Sequence, residues 1–565
     1  MIITLLAWLY ITILCWMWGG LLLGHFQRNK RQHPGPQFHA CITCFIGLAG
    51  ILTFSSLLSL FMPLGGYEAQ LLLILPCILY GWLKPSQGLF TNLRNQLSGL
   101  APVLILLLFI LVILLLLLAT SPINHEDTLA YHAQIIQWIE KYSAVPGIAN
   151  LHIRYGLQSS WFVGCAVFGF RFVGTNALSF LNSAVLLWFF IFIISQINKN
   201  YGHKKNILYG LGWLAILLLS LWSYSQVRLT ATSASPDFIT ILYCWLCFYL
   251  LFNATKKELS ARNFSLLIML GAFAITMKLS AIPVIILSLY SAYKLLVMKN
   301  TRALLVSLLI SIAVLLPFIA RNIITSGYPV FPSRFPDIVN TDWKLSKDKV
   351  IYVQEYITAY ARIQSGADTA SIDKALSMDM TEWIPAWWKN QSLADKSIII
   401  LLMLSFCLLI IRIKAILASP NYVKAALVAA LGGILFWFIQ APDPRFGFGF
   451  ILSLMAIVFW LELQKNNRLH DGSWKRVFIA ISFTSVLVIG GYSIYRTIYF
   501  FSPSQLLAPA GPARGKYTTI YCHNFSLTVP SVNYGCSNAQ IPCAYDSCRS
   551  FEARDSSITD GFRAK

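Results

Sequence analysis

The 565-residue chain is 57% hydrophobic and only 12% charged, an apolar excess that no soluble globular protein of this size can bury. Its formal net charge of +21 sits in short basic clusters between apolar runs, which fits the positive-inside bias of membrane proteins and excludes a nucleic-acid footprint. The composition predicts an all-α polytopic membrane protein.

One crossing takes about 20 apolar residues. On that measure residues 1–120 hold four spans: Ile2–Gly24, His39–Met62, Ala69–Leu83 and Leu100–Thr120. The first lacks a basic leading region and a small-residue cleavage site, so it reads as a retained helix rather than a signal peptide. Arg28-Asn-Lys-Arg31, Lys84 and Arg94 mark inner loops, which puts the amino terminus outside. The fourth span then delivers Ser121-Pro-Ile-Asn-His-Glu-Asp-Thr-Leu-Ala-Tyr-His132 to the outer face.

Residues 121–175 read as a first large external loop. Gln134–Tyr142 is amphipathic, as expected of a helix lying on the membrane surface, and Gly156–Phe170 is expected to dip in without crossing. Residues 176–320 read as a transmembrane core with spans at Asn176–Ile197, Ile207–Gln226, Asp237–Asn253, Phe264–Met277, Ser280–Met298 and Ala303–Ala320. Lys199, Lys204, Lys205, Lys256, Lys257, Arg262, Lys299 and Arg302 keep their loops inside. Phe264–Met277 is short for a crossing and is expected to be irregular.

Residues 321–396 form a second large external loop, with Trp383, Trp387 and Trp388 expected at the headgroup level. Residues 397–500 add the spans Ser397–Ile413, Val423–Ile439, Phe446–Leu463 and Val477–Phe500, with Lys465, Arg468, Lys475 and Arg476 inside. About fourteen spans result. Residues 501–565 are an external, cysteine-containing tail. In an oxidising compartment Cys522, Cys536, Cys543 and Cys548 are disulfide candidates rather than zinc ligands, and four cysteines allow three pairings.

The residues able to do chemistry collect at the outer mouths of spans. Glu126 and Asp127 follow a nearly pure leucine run, and a carboxylate held there could take a proton from an acceptor hydroxyl. The plainer reading is that the two acids cap the helix that follows, where its dipole favours them. His125, His132 and His152 match no metal-ligand spacing, and no cofactor is expected. Arg154, Lys278, Arg321, Arg334 and Arg445 all fall at outer faces, where they suit a lipid phosphate or snorkel to headgroups. Lys278 lies between two apolar helices, and Arg445 sits in Ala441-Pro-Asp-Pro-Arg-Phe446, where Asp443 could orient it. Ser233-Ala-Ser-Pro-Asp237 is explained by capping, with Ser235 as N-cap and Asp237 in the first turn. Arg321-Asn322 and Gly327-Tyr-Pro-Val-Phe-Pro332 hold the second loop rigid above the membrane.

In this order the motifs resemble multi-spanning glycosyltransferases of the GT-C fold. These are the helix emptying into an acid followed by Tyr131-His132, Thr276-Met-Lys278, the Arg321-Asn322…Gly-Tyr-Pro-Val-Phe-Pro turn and the Pro-Asp-Pro-Arg-Phe turn. The similarity is to bacterial members that take sugar from a polyprenyl-phosphate carrier, glycosyltransferase 39-like enzymes and related envelope proteins, and it runs from about Leu100 to Leu463. It implies a GT-C-like bundle in which Asp127 is the catalytic aspartate, acting as general base, with Glu126 beside it. Lys278, Arg321 and Arg445 would hold the carrier phosphate. Tyr131, His132, Arg154, Asn322 and Asp443 would complete the substrate site. Three additional spans before the acid loop, and a small tail in place of a large soluble domain, depart from that plan.

The expected activity is transfer of a sugar from a polyprenyl-phosphate-linked donor to a glycan, lipid or protein acceptor at the periplasmic face of a bacterial inner membrane, with both termini periplasmic. Membrane lipid is the other expected partner; nucleic acid is not one. An O-antigen polymerase or ligase, a lipid-linked glycan flippase or transporter, and an envelope-assembly protein without activity are the alternatives. A transporter would be expected to bury ionisable groups mid-span, whereas here the charges gather at the mouths.

Overall fold

The structure is a computed structural model. It describes residues 1–27, 39–83, 94, 98–175, 177–201, 216–217, 219–222, 224–254, 260–465 and 501–565 except 512–514, 523–524, 532–534 and 546–547, together with isolated positions between 480 and 498. Residues 28–31, Lys84, Lys204, Lys205, Lys256, Lys257, Arg468, Lys475, Arg476 and most of the spans Ile207–Gln226 and Val477–Phe500 lie outside the described residues.

Among the described residues ten helices are long and apolar enough to cross a membrane, which makes this a multi-pass membrane protein. Helices α1 (Ile2–Gln27), α2 (Ala40–Leu58), α3 (Tyr67–Leu83) and α4 (Pro102–Thr120) come first. The acid loop leads into α5 (Ala133–Lys141) and α6 (Ser160–Val167). The core continues with α7 (Phe180–Tyr201), α8 (Asp237–Asn253), α9 (Ser260–Met277), α10 (Ile285–Val297) and α11 (Thr301–Ser326). Two loop helices, α12 (Lys347–Ile363) and α13 (Met380–Asn390), precede α14 (Leu393–Ile411), α15 (Asn421–Gln440) and α16 (Pro444–Lys465). Of the fourteen expected spans, α3 and α8 form as apolar helices of only 17 residues.

Burial sorts the bundle. The window Phe180–Lys199 on α7 is 83% buried and reads as its centre, whereas Thr301–Ser326 and Leu393–Ile411 are each 22% buried and offer leucine and isoleucine to lipid. The alternation inferred from charge holds among the described helices. Ser59 after α2 accepts from Ala144, Ser179 before α7 donates to Ala119 on α4, and Ser159 donates to Met277 at the end of α9. These ends therefore share one side with the acid loop, the second loop and the tail. At the opposite end Asn198 meets Gly99 and Ala101, and His39 meets Ser195.

Several sequence expectations change. Helix α5 does not lie on a membrane surface: Ala133 to Glu140 are all buried, with α6 packed on it and the tail above. Gln134 pays for its burial by donating to the carbonyls of Ser537 and Ala539. Helix α9 is regular over 18 residues, and the irregularity falls after it, in the tight 3-10 turn Leu279–Val284 that holds Pro283. Trp383 and Trp387 are buried instead of sitting among headgroups, with Trp387 donating to the Pro442 carbonyl at 2.6 Å.

Beyond a 3-10 turn at Pro503–Leu506, the described residues of the tail form strands and loops. Strands β1 (Tyr517–Cys522) and β2 (Phe525–Pro530) pair antiparallel, as do β3 (Phe551–Ala553) and β4 (Phe562–Ala564). Of the three possible pairings, Cys522–Cys548 and Cys536–Cys543 are formed. The unit docks on the acid loop, where Ser537 donates to the Leu129 carbonyl at 2.7 Å and Tyr155 donates to the Cys543 carbonyl at 2.8 Å. Arg554 pairs with Asp342 of the second loop at 2.8 Å.

Candidate functional site

Asp127 stands where the chain re-enters helix after α4. The turn that follows, Thr128–His132, is π-helical, closed by Ala133 N–H donating to the Thr128 carbonyl. Such wide turns recur at functional sites because the additional residue re-aims its neighbours. Here Thr128 Oγ1 lies 3.2 Å from His125 Nδ1 and 3.0 Å from His132 Nδ1, and the two rings stack at 5.6 Å. Burial pushes both imidazoles down, His132 to about 3, so both are neutral at neutral pH. They are packed supports for the loop, and among the described residues no group of three His, Cys, Asp or Glu could hold a metal.

Around Asp127 stand two guanidinium groups. Arg154 Nη1 lies 3.8 Å from one carboxylate oxygen and Arg445 Nη1 3.7 Å from the other. Burial pulls the Asp127 carboxyl up, but Arg445 above all holds it below its ordinary value. Arg154 is itself positioned by rings, its guanidinium 5.7 Å from the Tyr131 centroid and 5.3 Å from that of Tyr356 on α12. Tyr131 is thus a packing partner of Arg154, its hydroxyl pushed well up by burial and by Asp127.

Arg445 links this loop to a second carboxylate. The Pro442-Asp443-Pro444 turn is pinned by two indoles, Trp387 on the Pro442 carbonyl and Trp437 on the Asp443 carbonyl at 2.7 Å. Asp443 accepts the backbone N–H of Arg445 at 3.1 Å and stands 3.0 Å from its Nε, as the sequence suggested. The same Nε lies 4.0 Å from Asp237, the first residue of α8, and Asp237 forms an ion pair with Lys278. Lys278 breaks α9 in an extended conformation and lies 3.7 Å above the Phe446 ring, with Arg445 4.7 Å from that ring. Burial lowers the Lys278 ammonium, and Asp237 opposes that loss.

Three carboxylates (Asp127, Asp237, Asp443) and three cations (Arg154, Lys278, Arg445) thus share one balanced network at the loop-rich end. The contacts to Asp127 are long, and its side chain is 31% exposed against 11% for Asp237. The Asp127 face is therefore the part a ligand can reorganise. Below the charges a narrow, largely buried pocket lies between α8 and α16, lined by Ile241, Cys244, Gly449 and Phe450, with room for about one water molecule.

Not every expected residue joins. Glu126 is exposed and makes no ion pair or hydrogen bond among the described residues. Arg321 is buried on α11, donating to Gln158 Oε1 at 2.8 Å and to Ser59 Oγ at 2.9 Å, and lines a different pocket. Asn322 is buried beside it and donates to the Phe318 carbonyl. Asp237 and Phe446 join the network without having been singled out for it. Asp237 had been accounted for as a first-turn acid behind a Ser235 cap; Ser235 Oγ does accept its N–H at 3.4 Å, and its carboxylate turns to Lys278.

A family model described as "Domain of unknown function (DUF8201)" matches residues 1–452. The chain belongs to that family. Every residue of the charge network lies inside the matched segment, and the disulfide-bonded tail lies beyond it. No curated protein and no solved structure matches the chain.

Proposed function

We propose that this protein is a GT-C type glycosyltransferase that moves a sugar from a polyprenyl-phosphate carrier to an envelope glycan, lipid or protein at the periplasmic face of a bacterial inner membrane. The observation that carries the reading is the position of Asp127. An ionised, partly exposed carboxylate stands beside Arg445 and Arg154, and Arg445 shares a small pocket with Lys278. The carrier's prenyl chain stays in the lipid and its phosphate meets Arg445 and Lys278, whose charges stabilise the phosphate as the glycosidic bond breaks. Asp127 takes the proton of the acceptor hydroxyl as that oxygen bonds to the sugar, and passes it to solvent. Arg445 also keeps the carboxylate ionised. Arg321 and Glu126 have no part in this scheme.

The test is release of polyprenyl phosphate from a panel of labelled polyprenyl-phosphate monosaccharides by the full chain in nanodiscs, with envelope extract as acceptor source. Asp127→Asn should lower release by about 10²-fold or more while the protein still inserts and purifies. Turnover by Asp127→Asn equal to the wild type would remove Asp127 from the chemistry.

A further inference from the structure

Arg321 presents an electrostatic problem that the charge network does not solve. Its side chain is 5% exposed, and its three hydrogen bonds go to neutral acceptors: Gln158 Oε1, the Ser59 carbonyl and Ser59 Oγ. Among the described residues no carboxylate lies within ion-pair distance of it. Buried charges are ordinarily paired, because an isolated one costs several kcal/mol. The pocket Arg321 lines holds a second buried donor, since Trp138 is 2% exposed and its indole Nε1 has no acceptor. Ser143 and Thr325 complete its polar lining, and the half-buried Ser143 opens it toward solvent.

We infer that this pocket, between α5, α11 and the Gln158 loop, is a binding site for a single anionic group, held by Arg321 and Trp138 and separate from the Asp127 network. An unpaired indole N–H, a net positive charge and no competing carboxylate all select against cations and for a halide or a phosphate. The anion would tie together the end of α2, helix α5 and the end of α11, three elements that also frame the acid loop. Its source is either a free ion or the phosphate of an anionic lipid. The inference assumes nothing about sugar transfer.

The experiment measures the thermal midpoint of the purified full chain in an uncharged detergent, starting from gluconate buffer and titrating sodium chloride or sodium phosphate. A parallel series uses nanodiscs of phosphatidylcholine with and without phosphatidylglycerol. A saturable rise with either salt in detergent identifies a free ion, and a rise only with phosphatidylglycerol identifies a lipid phosphate. Either rise should vanish in Arg321→Gln and need about tenfold more ligand in Trp138→Phe, which keeps the arginine and the fold. No saturable rise with any probe overturns the site and leaves Arg321 a crosslink. Should Arg321→Gln not fold, Trp138→Phe decides alone, and a half-saturation equal to the wild type overturns the site.

Discussion

Arg445 lies 3.7 Å from Asp127 and 4.0 Å from Asp237, so a single guanidinium joins the acid loop after the fourth span to the mouth of α8. The pH behaviour of the acid loop follows from that contact. A carboxyl held below its ordinary value stays ionised until the pH falls through the lowered value. The acid limb of kcat/KM for wild-type transfer should therefore lie below about pH 4. In Arg445→Gln burial is left less opposed, and the limb should move up through that value. The position of the limb, not the amplitude of the rate, is the readout; an unmoved limb would separate Arg445 from Asp127.

The Asp237–Lys278 pair makes a stability prediction. Asp237→Asn leaves a buried ammonium with only the Phe446 ring and neighbouring like charges. A loss of about 3–5 kcal/mol is expected, seen as a lower thermal midpoint in detergent. Lys278→Met added to Asp237→Asn should recover much of it. Simple additivity of the two losses would show that the pair is not coupled.

Glu140 on α5 should make stability pH-dependent. Burial raises its carboxyl to about 7 although Arg171 stands 2.9 Å away and pulls the other way. With the folded value above the unfolded one, its contribution is full below about pH 4.5 and is lost as the pH rises through 7. Between those limits the wild type should lose roughly 3 kcal/mol relative to Glu140→Gln. Parallel midpoint-against-pH curves for the two proteins would refute this.

The tail should depend on its crosslinks. Cys522–Cys548 closes a separation of 26 residues, for which chain entropy alone gives about 3.5 kcal/mol. Cys522→Ser with Cys548→Ser should speed hydrogen exchange in Leu129–Gln137, because the Ser537 N–H donates to Leu129 and the Ser537 and Ala539 carbonyls accept from Gln134. Exchange confined to the tail would show that its docking does not need the bond.

Much of the site was legible because a charge at the mouth of an apolar span is rare and has few places to go. Asp127, Lys278 and Arg445 stood out for that reason, and the Asp443–Arg445 relation is local enough to read from one turn. Arg321 stood out in the same way but was assigned to the wrong company. Topology tells which side of a membrane a residue faces, whereas its partners, Ser59 and Gln158, come from distant segments. Asp237 was hidden by a sufficient local explanation, since a Ser-Pro-Asp helix start accounts for itself without Lys278. Helix α5 was misplaced because amphipathicity reports that one face is wet or dry, not whether lipid or a cysteine-linked sheet covers it.

The docking of the tail on Gln134 bears on the order in which the protein is made. Residues 121–141 leave the ribosome long before 536–539 exist to accept from Gln134 and donate to Leu129. Until the tail is made and docks, the Gln134 amide lacks these acceptors and the acid loop lacks its cover. Completion of the acid loop is thereby tied to the tail, and a chain stalled before it would carry the charged residues without that cover.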